Sequence, residues 1–301
     1  MEKSILSISI FLIMFSTPSI ASFIGPQTVV QGICGKGDLE FGCGSDDIEK
    51  AFFWIVCIDE NGNIILGDPA NLRIKIYNSA GVWQKNISYK NISPGDTWPD
   101  NLRVKANVGI FSVYDKLQKY DYNGNLNLSI VVPGVMDFWV AQDGGIWLQQ
   151  DQHKYIKYSP NGDLLKTYTD RPLELGVVTE IKMTTGQYKY VVKYPDKTWE
   201  IIREGNFSSQ SYIRDLNGNL YGVGSNYVVR YDDQGKEVAK LTMPKTQYKG
   251  VTLPPEWPKN AEPPRNEPLE EYGAPIVAPN GDVYTWKRTP DKYYIIKWVW
   301  Q

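Results

Sequence analysis

The sequence predicts an all-β fold, a β-propeller of six four-stranded blades, with the ring closed by an N-terminal strand that completes the last blade. Three observations predict it. Turn dipeptides recur along the whole chain between apolar, aromatic-rich runs. Asn61-Gly62, Asp143-Gly144, Asn217-Gly218 and Asn280-Gly281 form one set; Gly81, Asn123-Gly124, Asn161-Gly162 and Gly235 form a second. The flanks of these turns repeat too: CIDENGNIILGD matches VAQDGGIWLQQ, IRDLNGNLYGVG and IVAPNGDVYTW, while RIKIYNSAG matches YIKYSPNG and YVVRYDDQG. Finally, the last repeat stops at its third strand, YYIIKWVWQ, and residues 27–32 offer a spare one.

Each element follows from local chemistry. Asn-Gly and Asp-Gly tolerate positive φ, so each pair marks a tight two-residue hairpin. Four strands joined by such turns, repeated roughly every 35 to 50 residues, make a propeller blade. The blades run about 52–88, 102–132, 135–169, 176–208, 210–243 and 273–301, the last completed by 27–32. Blade two lacks a clean first turn around Asn107-Val108-Gly109. Blade four has Thr185-Gly186 and Glu204-Gly205-Asn206 but no clear fourth strand, so five or seven blades stay open. Closing the ring with the chain's own ends covers edges that invite aggregation.

The chain has 301 residues and is read as a signal peptide, 1–21, followed by one domain, 22–301. Lys3, an apolar run from Ile5 to Phe15 and small residues at Ser19 and Ala21 give the secretory pattern. The run is too short for a comfortable membrane span. A secreted or periplasmic protein is therefore expected. Net charge is −2, which argues against a duplex-DNA binder, since that needs a dense basic face. Aromatics make up 13 %, with 20 Tyr and 10 Trp; they suit half-buried strands, and also platforms for a peptide or glycan. In an oxidising compartment Cys34 and Cys43 form the natural disulfide, closing the loop GKGDLEFG; Cys34–Cys57 is the alternative. Cys57, in FFWIVCI, reads as a buried small hydrophobe. A cysteine metal site would need nearby His partners, and His153 is the single histidine.

The first blade resembles the NHL repeat. Its Gly-rich approach, GKGDLEFG, leads into IDENGNIILGD and PANLRIKIY, and the matching positions are Asp59, Asn61, Gly62, Asp68, Asn71, Arg73 and Ile74. Tyr155 and Tyr227 stand where Arg73 would in other blades, so the likeness fades beyond the first. It implies a propeller fold, which hosts binding scaffolds and some enzymes alike. Asp68 and Arg73 bracket a tight connection and read as a hydrogen-bonded structural brace of the blade, with ligand binding the rival reading.

A four-stranded blade places its first-to-second and third-to-fourth turns on one face of the disc. The second-to-third loops and the connections between blades lie on the other. The long connections YKNISPGDTWPDN and TDRPLELG and the Pro-rich insert 244–272 all belong to that second face. Loops longer than a connection needs usually carry function. Trp98, Arg171, Tyr248 and Trp257 are the contact candidates there, with His153, Lys287 and Arg288 on the same face. The expected role is a binding module for a protein, peptide or glycan. The alternative is a hydrolase or lyase similar to gluconolactonase-like propellers, with calcium or another divalent cation in the channel. Asp59, Glu180, Asp215 and Asn280 supply oxygens for that, although most such residues form turns. With one His and no serine in a nucleophile turn, no catalytic triad is read.

Overall fold

The computed structural model describes residues 22–42, 54–88, 101–105, 108–113, 116–132, 134–141, 143–204, 211–248 and 268–301. Over these the chain is a six-bladed propeller of antiparallel sheets. β1 (Phe23–Ile33) comes first. Blade 1 holds β2 (Trp54–Ile58), β3 (Ile64–Asp68), β4 (Arg73–Tyr77) and β5 (Trp83–Ser88). Blade 2 holds β6 (Asn101–Lys105), β7 (Gly109–Val113), β8 (Lys116–Tyr120) and β9 (Leu126–Val131). Blade 3 holds β10 (Asp137–Val140), β11 (Ile146–Asp151), β12 (Lys154–Tyr158) and β13 (Leu164–Tyr168). Blade 4 holds β14 (Val177–Lys182), β15 (Tyr188–Lys193) and β16 (Thr198–Arg203). Blade 5 holds β17 (Ser211–Arg214), β18 (Leu220–Val223), β19 (Tyr227–Tyr231) and β20 (Glu237–Thr242). Blade 6 holds β21 (Gln247–Tyr248), β22 (Pro268–Tyr272), β23 (Ile276–Val277), β24 (Val283–Arg288) and β25 (Lys292–Trp300), and β1 completes it.

The recurrent turns differ from the two-residue hairpins expected. In nine of them the first residue's N–H donates to the fifth residue's carbonyl, and the fourth residue, always Gly, donates back to the first; Asp59 to Asn63 and Asp121 to Asn125 are examples. These are three-residue loops ending in a left-handed glycine, with φ of 76–91°. Among the described residues Leu72 is the one non-glycine with positive φ, so the residue before each turn glycine is not left-handed. Asn-Gly cannot tell the two loop types apart, because both require the glycine. In several of the turns the first side chain reinforces the loop. Asp59, Asp121 and Asp232 each accept the third and fifth backbone N–H on one carboxylate oxygen, and Asn78 does so through its amide oxygen.

The expected closure is present. β1 pairs antiparallel with β25, from Phe23↔Trp300 to Ile33↔Lys292. Residues 34–42 then wedge between blades 6 and 1. Phe41 packs against Tyr77 and Tyr293, and Val30, Ile295, Ile64 and Leu66 complete that core. Asp68 and Arg73 form a buried ion pair, Nε to Oδ2 at 2.8 Å. They hold this wedge as well as their own blade. Gly42 N–H donates to Asp68, Asn71 donates to the Gly35 carbonyl, and Arg73 donates to the carbonyls of Gly37 and Glu40. Lys75, fully buried, donates to the carbonyls of Asp38 and Glu40 and lies over the Phe41 ring. Burial, with Arg73 nearby, lowers its amine to about 8.

Similar apolar cores join most neighbouring blades. Ile65 and Ile74 of blade 1 meet Ile110 and Tyr120 of blade 2. Phe111 and Leu117 of blade 2 meet Phe138 and Ile146 of blade 3. Trp199 and Ile201 of blade 4 meet Leu220 and Val229 of blade 5, and Tyr221 of blade 5 meets Val283 and Trp298 of blade 6. Each such side chain contributes roughly 1.5–3 kcal/mol on burial. Among the described residues no such cluster joins blades 3 and 4.

Blade 4 explains that gap. Its three strands fill the second, third and fourth places, so the strand missing among the described residues is the innermost, not the fourth as the sequence suggests. Three contacts fix this. The third-to-fourth turn glycine of a blade lies on the preceding blade's outermost strand: Gly81 on Val29 of β1, Gly162 on Leu128 of β9, and Gly235 on Glu200 of β16. Hence β16 is outermost. Asp196, between β15 and β16, takes a bidentate pair from Arg214 beside the first turn of blade 5. Lys197 from the same turn bonds Asp233. The Met183–Gln187 turn, which carries Thr185-Gly186, therefore joins second to third strand and lies on the opposite face.

Candidate functional site

Where the innermost strand is missing among the described residues, a cleft lies between blades 3 and 5, lined by residues from both and by the connection 169–176. Blade 3 presents its wall through strand register. Trp139 pairs with Trp147 across β10 and β11, Trp147 with Lys157, and Lys157 with Lys166, so all point to one side. Tyr155 and Tyr168 lie on that side as well. Ring centroids are 6.4 Å apart for Trp139–Tyr155 and 5.2 Å for Trp147–Tyr168. Cations cover the rings: Lys157 over Trp147, Lys166 over Tyr168 and Arg171 over Trp139, the last at 4.8 Å.

Opposite stand Tyr194 after β15 and Tyr212, Ile213 and Arg214 of β17. Together with Glu174 and Leu175 these residues line a cavity of about 400 Å³, within the usual range for a small-ligand site. Arg171 is held in place by its own connection, donating from Nε to the Gly176 carbonyl at 2.8 Å and from Nη2 to the Leu175 carbonyl at 3.0 Å. Gly176 lies on the Tyr194 ring, where a side chain would clash, and its φ is 71°. Arg214 lies 5.6 Å from the centre of the Tyr194 ring, and its hydrogen bonds hold the Asp196 carboxyl below the usual carboxylate range.

Two donors at this cavity are unmatched. The Tyr212 hydroxyl and the Arg214 Nε are buried and have no hydrogen-bond partner among the described residues. Leaving such a group unpaired costs about 1–3 kcal/mol. Burial, with Tyr231 alongside, pushes the Tyr212 hydroxyl up, so it stays protonated and donating at neutral pH. The cavity thus offers flat aromatic walls, two guanidinium groups and a phenolic donor. That chemistry suits a ligand with a carbonyl or carboxylate oxygen beside apolar or planar groups.

Of the site residues expected from sequence, Arg171 enters this cavity. His153 sits exposed between β11 and β12, its backbone N–H donating to Asp151. Arg288 pairs with Glu271 at 2.6 Å and Lys287 with Glu270 at 2.5 Å, so both fasten β22 of the insert to β24. Trp98 and Trp257 lie outside the described residues; Tyr248 ends β21, and its side chain lies outside them too. Cys57 is a free thiol, which removes the Cys34–Cys57 bridge. Its burial pushes the thiol far above the usual range, making it an inert apolar group. Cys43 lies outside the described residues. Among the oxygens considered for a channel cation, the Asp59 carboxylate takes the Asn61 and Asn63 N–H groups, the Asn63 side chain and the Tyr122 hydroxyl. Asp215 takes Asn219 and the Tyr221 hydroxyl, and Asn280 bonds Asp282. Glu180 stands exposed on β14. No group of three or more His, Cys, Asp or Glu side chains converges among the described residues.

Sequence reasoning missed Trp139, Trp147, Tyr194, Tyr212 and Arg214. One signal was available: Trp139 and Trp147 bracket Asp143-Gly144 symmetrically, which places them opposite each other on one face.

No protein-family model matches the chain, and no curated protein matches it. Solved structures similar to it include a streptogramin B lyase, at 14 % identity over 82 % of this chain and 93 % of that one, with a TM-score of 0.44. A gluconolactonase from Xanthomonas campestris is similar at 11 % identity over 82 % and 87 %, TM-score 0.43. BBS1N, solved in complex with ARL6DN, is similar at 14 % identity over 78 % and 86 %, TM-score 0.40. The propeller fold stands on the sheets themselves.

Proposed function

We propose that the protein is a binding module outside the cytoplasm that holds its partner in the cleft at blade 4. The carrying observation is the cavity with aromatic walls, Arg171 and Arg214, and two buried donors with no acceptor among the described residues. A ligand oxygen would complete them. The cavity lies beside the first turns of blades 3 and 5, at Ala141 and Arg214, and so on the short-turn face rather than the long-loop face expected from the sequence. The rival reading, a divalent-cation hydrolase or lyase, draws on no ligand cluster in the described residues.

Export follows from the signal pattern of residues 1–21, with the mature chain starting at Ser22 or Phe23 and Cys34–Cys43 oxidised. Edman sequencing and a non-reduced peptide map of protein recovered from outside the cytoplasm check both. For the site, mature protein is applied to a combined peptide and oligosaccharide array. Trp139→Ala and Arg171→Ala each weaken the retained signals by about tenfold or more, the usual cost of a central aromatic or Arg anchor; His153→Ala does not. Signals indifferent to both substitutions would remove the cleft as the site.

A further inference from the structure

The partner class can be narrowed, and the argument rests on the cleft reading above. β14 sits in the second place of its blade, where β3 and β7 are wholly buried. Yet Val178 through Lys182 are exposed, and β14 pairs with β15 alone. The connection 169–176 bonds within itself, Leu175 N–H to Pro172 and Gly176 N–H to Leu173, and makes no ladder with β14. The inner edge of Val177–Lys182 therefore presents every second N–H and carbonyl unpaired by any described residue. We propose that an extended acidic peptide from a partner adds to this edge as the missing innermost strand of blade 4.

Strand addition supplies main-chain hydrogen bonds for affinity and leaves alternate side chains for selectivity. The surroundings select acidic ones. Arg171 and Arg214 line the cavity with a single carboxylate, Glu174, and Lys157 and Lys166 cover the Trp147 and Tyr168 rings of its wall; Arg171, Lys157 and Lys166 enter none of the ion pairs of the described residues. The Tyr212 hydroxyl and Arg214 Nε await acceptors at the cavity end, next to Leu175 and the start of β14. A small ligand could fill the cavity but would leave the edge bare.

The test uses random dodecapeptides displayed on phage and selected on the intact mature protein. Selected sequences are rich in Asp and Glu. Synthetic versions lose affinity about tenfold or more on Arg171→Ala, the scale of one hydrogen bond to a charged group. N-methylation of the peptide at every second residue abolishes binding, and methylation at the residues between leaves it intact. Hydrogen exchange of amides 177–182 slows on binding. Failure to select any peptide overturns the proposal. So does binding indifferent to N-methylation, or protection that falls elsewhere than β14. If Trp139→Ala still weakens such binding, the cleft reading survives without strand addition; if it does not, both fall.

Discussion

Blades 1 and 4 are built from the same short strands, yet the ring treats them oppositely. Blade 1 has four strands, and Ile64–Asp68 and Arg73–Tyr77 at its middle are buried throughout. Apolar cores seal it against blade 6 on one side and blade 2 on the other. Blade 4 has three described strands and an apolar core toward blade 5 alone. Its β14 is exposed along nearly its whole length. Among the described residues, three outer strands that keep their contacts with one neighbour are enough to hold this blade in the ring. The stability can be concentrated where the ring must close, leaving the opposite arc free to hold something else.

Substitutions can break or sharpen this contrast. The largest effect is expected from Arg73→Ala, which leaves the Asp68 carboxylate buried without its partner cation and frees residues 34–42. Urea unfolding should show a loss of about 3–5 kcal/mol. A loss near zero would mean that the closure does not depend on the brace. Leu66→Ala in β3 should cost about 3 kcal/mol, as large-to-small changes in cores do. The equivalent truncation in the second strand of blade 4, Ile181→Ala, should stay within about 0.5 kcal/mol. Equal costs would show that β14 is covered in solution.

A smaller, pH-dependent effect concerns Lys75, whose folded-state pKa of about 8 lies below the ordinary 10.5. Between these values the unfolded chain binds the proton and the folded chain releases it, so the lysine's contribution to stability rises with pH across that window. Buried tyrosines such as Tyr77, pushed up by burial, work the other way above pH 10. The stability difference between wild type and Lys75→Met should therefore shift by roughly 2 kcal/mol in favour of wild type from pH 7.5 to 10. A flat difference would place the amine in water. The smallest effect belongs to Arg214→Ala: its partner Asp196 is 60 % exposed, so the urea midpoint should hold while ligand capture falls.

Much of the ring was legible in the sequence because its turns need glycine at a fixed place. Gly62, Gly144 and Gly218 announce hairpins whatever surrounds them, and the blade count and the β1 closure followed. The Asp that caps several of these loops from the first position, Asp59 and Asp121 among them, was equally visible in the sequence. Blade 4 was misread for a physical reason. Strand periodicity reports which residues share a face, not a strand's distance from the axis, so VVTEIK reads alike as a first or second strand. The cleft was hidden for a related reason. Trp139, Arg171, Tyr194 and Arg214 lie far apart in the sequence and meet where no described strand stands between them.

The pairing of β1 with β25 carries a consequence for how the chain acquires its shape. Phe23 and Trp300 face each other across nearly the whole sequence, and contacts of such separation form slowly because the intervening loop must first close. A chain emerging from its N-terminus carries β1 as an orphan strand until β25 is made. Residues 34–42, which bond mainly to Asp68, Asn71, Arg73 and Lys75, can dock on blade 1 long before then and hold β1 beside the place it will occupy. The brace read from the first blade would then serve as a tether during biogenesis, keeping an aggregation-prone strand at its post while five more blades assemble.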